Sequence, residues 1–261
     1  MHDVSLTAAA LLCVAAALAG WVDAVVGGGG LLQVPALLIA FPHLAPAYAL
    51  GTNKAVGVVG TTAAAITYAR KAPVDVWLAC RIGAVAVLSS VGGAFCAAGV
   101  NSAVLRPLIM VLLLGVAAFV VLRPQFGQTP GGTVTRRRVL TAGLVVGAGI
   151  GFYDGLLGPG TGTFLVIALV ALLTMDMVTA SATAKVVNVG TNLGALAMFA
   201  WQGTVLWTLA PFMALFNLAG ASVGARMALK RGSGFVRAVM LVVVTALVSK
   251  LAYDQWWGTA G

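Results

Sequence analysis

Charged residues are scarce in this chain, and the shortage limits what kind of protein it can be. Asp, Glu, Lys and Arg make up 8% of the 261 residues, whereas 61% are hydrophobic and the mean hydropathy is +1.06. Ordinary soluble domains are about 25% charged. A soluble fold of this length needs far more polar surface, so the composition predicts a protein whose solvent is lipid.

Histidine and cysteine are also scarce, which argues against several kinds of chemistry. The two histidines lie at the N-terminus (His2) and in a loop (His43), so neither a buried Ser–His pair, a metal site nor any other cofactor is expected. No GxxxxGK[ST] loop is present, which argues against ATP-driven pumping by this chain. We do not predict an enzyme. The three cysteines lie in apolar segments without paired spacing and are interpreted as packing residues: Cys13, Cys80 and Cys96.

The net charge is +9, and the positions of the cations decide what this means. In a soluble protein such a surplus would suggest a nucleic-acid partner. Here the cations lie in short loops between apolar runs, where they orient a chain in the membrane. No basic patch interleaved with aromatic residues is found. Lipid is therefore the expected partner, and nucleic acid is not.

Ten apolar segments, five in each half, predict an all-α polytopic membrane protein. They cover roughly 5–26, 30–42, 48–69, 76–99 and 103–122, and then 138–157, 161–175, 178–200, 204–228 and 234–255. A helix needs about 20 residues to cross ~30 Å of hydrocarbon, so the second segment of each half is expected to be a half-helix or one limb of a hairpin. The predicted units are a first repeat (1–122), a cytoplasmic basic linker (123–138) and a second repeat (139–261).

The two halves repeat one motif at an offset of 131 residues. Residues 20–30 read GWVDAVVGGGG, and residues 151–161 read GFYDGLLGPGT. In each half an aspartate precedes a glycine-rich break and a lysine follows it: Asp23 and Lys54, then Asp154 and Lys185. Duplicated apolar segments with interrupted helices are typical of membrane transporters built from two repeats.

The charges of equivalent loops indicate that the two repeats are inverted. Residues 70–71 are basic, whereas the equivalent loop around Gln202 has no cation. Residues 230–231 are basic, whereas the equivalent loop around Asn101 has none. Because cytoplasmic loops carry the excess of Lys and Arg, equivalent loops are expected on opposite sides of the membrane. The pattern leaves open whether the short segments cross or re-enter.

The two glycine-rich breaks are candidate anion sites. A helix that begins inside the membrane presents unpaired N–H groups and the positive end of its dipole. Glycines also let an anion approach the backbone closely, although they can equally serve close helix packing. The candidate residues at the breaks are Gly28, Gly29, Gly30, Gly158, Gly160, Thr161 and Gly162.

The two lysines are expected to add positive charge near these breaks. An ionised lysine at mid-membrane costs about 2.5–3.5 kcal/mol, so it is retained when it is paired or faces a wet cavity. Snorkelling from a helix end is the alternative. Together with the two helix N-termini, Lys54 and Lys185 predict a net-positive cavity. Asp23 and Asp154 are interpreted as proton-coupling groups, counter-ions of the lysines or helix caps.

Amide side chains complete the predicted substrate site. Asn188 and Asn192 are four residues apart, so they share one face of the segment that carries Lys185. In the first half, Gly57 and Thr61 stand at the equivalent positions. The site is therefore expected to be asymmetric. Gln33, close to the first break, is a further candidate.

The strings GWVDAVVGGGG-LLQVP and GFYDGLLGPGTGTF, with the T-x-K elements at Thr52–Lys54 and Thr183–Lys185, resemble the sulfite exporter TauE/SafE family of membrane permeases. This family is also called the 4-toluene sulfonate uptake permease family, and the second string looks most like its YfcA-type branch. The resemblance covers nearly the whole chain. It implies transport of a sulfur-containing anion such as sulfite, thiosulfate or an organosulfonate across the bacterial inner membrane.

The residues and the resemblance together predict a secondary transporter that moves a small anion by alternating access. An anion channel of the same architecture is the main alternative. An intramembrane protease and a sulfur-relay partner that acts through a cysteine are two others. The pattern Gly143-x-x-x-Gly147-x-x-x-Gly151 is compatible with helix contacts within one chain or in a homo-oligomer.

Overall fold

All regular elements in the described part of the chain are helices. The computed structural model describes residues 6–97 and 134–256, so the predicted segment 103–122 and most of the linker lie outside the described residues. The first half contains α1 (Leu6–Val26), α2 (Gly30–Ala40), α3 (Pro46–Ala69) and α4 (Val76–Ala97). The second half contains α5 (Arg136–Ala142), a π-helical stretch (Gly143–Ile150), α6 (Gly151–Leu156), α7 (Thr161–Leu173), α8 (Met177–Trp201) and α9 (Ala210–Trp256). Helix α9 is interrupted at Gly232, whose φ of 75° is non-helical.

Four of these helical stretches are long and apolar enough to cross a membrane. They are Thr7–Val26, Val76–Ala97, Arg136–Leu156 and Ala210–Val243. Helices α7 and α8 together form a further candidate that is bent by 120° at its break. The outer surface is rich in large apolar side chains, such as Leu11, Leu88 and Leu144, and Trp77 and Trp201 lie exposed at helix ends. These features confirm the prediction of an all-α polytopic membrane protein.

The short segments are short helices, as the sequence predicts. Helix α2 has 11 residues and α7 has 13. At 1.5 Å per residue they span roughly 17 and 20 Å, well below the ~30 Å of hydrocarbon. They begin at Gly30 and Thr161, which are equivalent positions of the two repeats.

Contacts between the two halves recur with the halves exchanged. In α9, Gly224 packs against the carbonyl oxygen of Trp21 in α1, and in α4, Gly93 packs against the carbonyl oxygen of Phe152 in α6. Both members of the second contact are the repeat equivalents of the first. A Cβ at either glycine would collide with the facing carbonyl, so the glycines set how closely the helices approach. Such an exchange is what a twofold relation between the halves produces, whereas their inverted orientation stays a prediction.

The end of α1 is held by side chains from three other segments. The last carbonyl groups of a helix have no partner within it, and lipid offers none. Here three hydroxyl groups donate to them: Tyr68 to Ala24 (2.9 Å), Ser181 to Val25 (3.2 Å) and Thr163 to Val26 (2.9 Å). The chain then turns at Gly27, whose φ is 80° and whose backbone touches that of Gly162. The two glycine-rich breaks therefore lie side by side.

Candidate anion site

The two helix breaks meet at one cavity of about 30 Å³. A buried water needs ~10–15 Å³, so this space suits about two waters or one compact polar ligand. Ten of the residues predicted from the sequence line it: Asp23, Gly29, Gly30, Lys54, Asp154, Gly158, Thr161, Gly162, Asn188 and Asn192. Gln33, Gly57 and Thr61, also considered above, line it as well. The cavity thus brings together residues from α1, α2, α3, α6, α7 and α8.

Three predicted site residues lie outside the cavity wall. Gly28 faces the side chains of Val22 and Val243. Gly160 holds the turn before α7 with a φ of 82°. Lys185 lies behind Asp23, which is itself a lining residue and whose Oδ2 is 2.9 Å from Lys185 Nζ.

The two lysines form ion pairs that cross between the halves. Lys54 Nζ lies 2.8 Å from Asp154 Oδ1, and Lys185 Nζ donates a hydrogen bond to Asp23 Oδ2 at 2.9 Å. Both lysines are almost fully buried, with exposed side-chain fractions of 1% and 0%. Snorkelling is therefore excluded, and the aspartates are counter-ions of the lysines.

These pairs change the source of the positive charge that was predicted for the cavity. The two lysines and the two aspartates have formal charges that sum to zero when all four are ionised. What remains positive is the backbone, because the N-termini of α2 and α7 contribute Gly30, Thr161 and Gly162 to the wall. A helix N-terminus carries the equivalent of about half a positive charge.

Three buried side-chain atoms in the described part of the chain have no hydrogen-bond partner, and all three belong to this cavity. They are Gln33 Nε2, Lys54 Nζ and Asp154 Oδ2. Lys54 Nζ is close enough to Asp154 Oδ1 for an ion pair, but the angles there are not those of a hydrogen bond. Because a buried polar group without a partner costs about 1–3 kcal/mol, such a cluster calls for partners that water or a ligand in the cavity can supply.

Amide and hydroxyl groups cover the opposite part of the wall. Asn188 Oδ1 accepts hydrogen bonds from Thr191 (3.0 Å) and Asn192 (3.5 Å). The Asn192 amide also donates to Thr61 Oγ1 at 3.4 Å. Thr61 and Asn192 are repeat equivalents, and equivalent residues touch where a twofold axis passes. This contact at the cavity is the one expected if a twofold axis relates the two halves.

The second break is stabilised by its own hydroxyl groups. Thr161 Oγ1 donates to the carbonyl of Gly158 at 2.7 Å, and the Tyr153 hydroxyl donates to the carbonyl of Pro159 at 2.6 Å. Gly158 has a φ of 84° and lies against the Lys54 side chain. The Thr161 hydroxyl thus supports the turn, and because its hydrogen is used there, its oxygen can only accept a further hydrogen bond.

Asn217 is a lining residue that the sequence analysis missed. It lies in α9 among apolar residues and is 4% exposed. Its repeat equivalent is Ala86, so the internal duplication gives no hint of it. The only signal is a lone asparagine inside an apolar run, where polar residues are expensive and usually functional. Gly27, which belongs to the first glycine-rich break, also lines the cavity, and so does Asn53, which was not predicted.

Comparisons with known proteins identify the family. A family model described as "Sulfite exporter TauE/SafE" matches residues 12–251. The chain belongs to the sulfite exporter TauE/SafE family. It is 35% identical over 254 residues to "Probable membrane transporter protein ORF9" of a Sinorhizobium species, covering 97% of this chain and 96% of that protein. It is 34% identical over 242 residues to "Probable membrane transporter protein YfcA" of Escherichia coli, covering 92% and 88%.

A third relative extends over nearly the full length of both chains. "Probable membrane transporter protein" of Haemophilus influenzae is 33% identical over 258 residues, covering 98% of each chain. No solved structure matches. These names are those of membrane transporters rather than enzymes. This TauE/SafE chain is therefore a multi-pass membrane transporter with a small-molecule substrate.

Proposed function

We propose that this protein is a secondary transporter of a small sulfur oxyanion, with sulfite as the first candidate, in the bacterial inner membrane. The observation that carries the proposal is the cavity between the two helix breaks. Buried donors, helix N-termini and paired charges converge there, which is the composition of an anion site in a transporter built from repeats.

The size of the cavity supports a compact substrate. A space of about 30 Å³ fits a small inorganic oxyanion, whereas an aromatic sulfonate needs several times more. Within the sulfur-containing anions that the family resemblance implies, the geometry favours sulfite or thiosulfate over 4-toluene sulfonate.

The charge balance supports coupling to protons through Asp154. An anion that enters a set of four charges summing to zero meets no net attraction from them. A proton on Asp154 Oδ2, the oxygen without a partner, would release Lys54 for the anion and convert an acceptor into a donor. Anion and proton would then travel together. Asp23, whose carboxylate accepts from Lys185, is better placed as a fixed counter-ion.

The same geometry favours a carrier over a channel. A channel needs weak binding along a continuous path, whereas the described residues form a compact polar site between two helix breaks that pack against each other. Rocking one repeat against the other around that site would expose it to each side in turn.

The test is uptake of radiolabelled sulfite into proteoliposomes, with thiosulfate, 4-toluene sulfonate, sulfate and acetate as competitors. We expect saturable uptake that thiosulfate inhibits and acetate does not. Lys54→Met should lower uptake at least about tenfold, because it removes a buried cation from the cavity. Lys71→Met, which changes an exposed lysine, is the matched control.

Proton coupling is tested in the same vesicles. An inward proton gradient should accelerate uptake by the wild type and by Asp75→Asn, an exposed aspartate outside the cavity. Asp154→Asn should lose that acceleration. If wild-type vesicles accumulate none of the sulfur anions, the proposed substrate is wrong. Unitary currents without counterflow would instead identify a channel.

A further inference from the structure

Gln33 reaches the cavity from the first turn of α2. It follows the start of that helix at Gly30 by three residues, and its side chain is 1% exposed. It shares the cavity wall with Lys54, and both carry a buried nitrogen without a hydrogen-bond partner. The equivalent position in the second half is Phe164, so only one of the two breaks has this amide.

The orientation of the Gln33 amide follows from its neighbours. Asn217 Nδ2 donates to the carbonyl oxygen of Ala16 at 2.9 Å, which assigns the nitrogen of the Asn217 amide. The same nitrogen lies 3.5 Å from Gln33 Oε1. The oxygen of Gln33 therefore faces Asn217, and its Nε2 group is the free donor.

Asn217 is itself held in place by glycines on two helices. A Cβ at Gly60 in α3 would collide with Asn217 Oδ1, and a Cβ at Gly20 in α1 would collide with the Asn217 backbone. Helices α1, α3 and α9 thus close around this residue. Since the side chain has little freedom, the orientation that it imposes on Gln33 is built into the packing.

We propose that Gln33 Nε2 and Lys54 Nζ together donate to two oxygens of the bound oxyanion, and that Asn217 is the positioning residue for Gln33. This inference rests on the proposed function and specifies how its site selects a substrate. Lys54 attracts any anion by charge. The hydrogen bond from the Gln33 amide N–H is directional, so it is strongest with an oxygen that lies in line with the N–H bond. The pair therefore selects an anion with two accessible oxygens over a halide.

Binding to the purified protein in detergent tests the role of Gln33. The probes are sulfite, thiosulfate and chloride, and the readout is the rise of the melting temperature with anion concentration. Gln33→Met should weaken sulfite binding about 10- to 100-fold, because a hydrogen bond to a charged group is lost. Its affinity for chloride should change less than about threefold. Gln202→Met, outside the cavity, should bind both anions as the wild type does.

A second variant keeps the amide group but places it farther from the cavity. Gln33→Asn has a shorter side chain, so it should also lose most of the affinity for sulfite while remaining a polar residue. If either variant binds sulfite as tightly as the wild type, the proposed role of Gln33 is wrong, and the transporter proposal stands. If the wild type binds no sulfur oxyanion, both proposals fail.

The positioning role of Asn217 has a different signature. Asn217→Ala should raise the KM for sulfite in the wild-type background but leave it nearly unchanged when Gln33 is already methionine. Such non-additivity is expected when one residue acts through another. Additive losses in the double variant would show that Asn217 acts independently of Gln33, and the positioning role would be overturned.

Discussion

At the scale of single residues, two crossed ion pairs link the halves of the chain in its interior. Each buries a lysine almost completely, and each joins one half of the chain to the other. Removing both members of a buried pair is often tolerated, whereas removing one leaves a charge without compensation. The pair Lys185–Asp23 lies beside the cavity rather than across it, so its contribution to stability can be separated from substrate binding.

We expect Lys185→Met to lower the free energy of unfolding by up to about 3 kcal/mol, because Asp23, whose side chain is 17% exposed, is left with a partly buried, unpaired charge. The double variant Lys185→Met/Asp23→Asn should recover a large part of that loss. Denaturant unfolding in detergent micelles measures both, with Lys71→Met as a control on an exposed lysine. If the double variant is no more stable than Lys185→Met alone, the two residues do not act as the pair that the geometry indicates.

The sequence predicted that two aspartates and two lysines lie near the helix breaks, but not which aspartate pairs with which lysine. Asp23 lies 31 residues before Lys54, and Asp154 lies 31 residues before Lys185, so both halves look alike. The crossed pairing results from the contact between halves, which a single repeat does not encode. Asn217 escaped prediction for a related reason, since Ala86 occupies its equivalent position and the duplication singles it out in neither half.

At the scale of helices, the main structural problem is posed by helix ends that lie inside the protein, where backbone groups lack partners within the helix. Helix α1 stops at Val26 and α2 begins at Gly30, so backbone groups that water would normally satisfy are left to side chains. Three hydroxyl groups donate to the end of α1, and two of them come from the second half of the chain. The first break is therefore stable only when both halves are in place.

Thr163→Val should destabilise the protein by about 1–3 kcal/mol, because the buried carbonyl of Val26 loses its donor while the side-chain volume is kept. Thr141→Val removes a hydroxyl that bonds within its own helix on an exposed face, and it should change stability by no more than about 0.5 kcal/mol. Thermal unfolding of both variants in the same detergent makes the comparison. Equal melting temperatures would contradict the role of Thr163 as a cap.

The helix breaks were predictable because they are local. Gly27 and Gly158 adopt positive φ angles that other residues resist, and such motifs are visible in the sequence. The hydroxyl groups that cap the end of α1 were not predictable. They lie 44, 137 and 156 residues along the chain from the carbonyl groups to which they donate. Periodicity carries no information at such separations.

At the scale of the whole molecule, the twofold relation and the loop charges bear on how the chain sits in the membrane. The exchanged contacts of Gly93 and Gly224 are those expected of a twofold relation between the halves. The uneven distribution of cations between equivalent loops indicates that they face opposite sides. Inverted repeats would place the cavity near the middle of the bilayer, where both sides can reach it in turn.

Labelling of single cysteines tests the inverted orientation. In a variant without Cys13, Cys80 and Cys96, Lys71→Cys should react with an impermeant maleimide only from the cytoplasmic side. Gln202→Cys, at the equivalent loop of the second half, should react only from the outside. Labelling from the same side would show that the repeats are parallel, and the alternating-access proposal would need another geometry.

The crossed pairs also have a consequence for biosynthesis. Asp23 is synthesised 162 residues before its partner Lys185. At about 5–20 residues per second, translation leaves roughly 8–30 s between the two. During that interval the carboxylate must stay near water or carry a proton. Insertion of the first half is thus incomplete until the second half arrives, and a ribosome that stalls between them leaves behind a fragment for the quality-control proteases of the membrane.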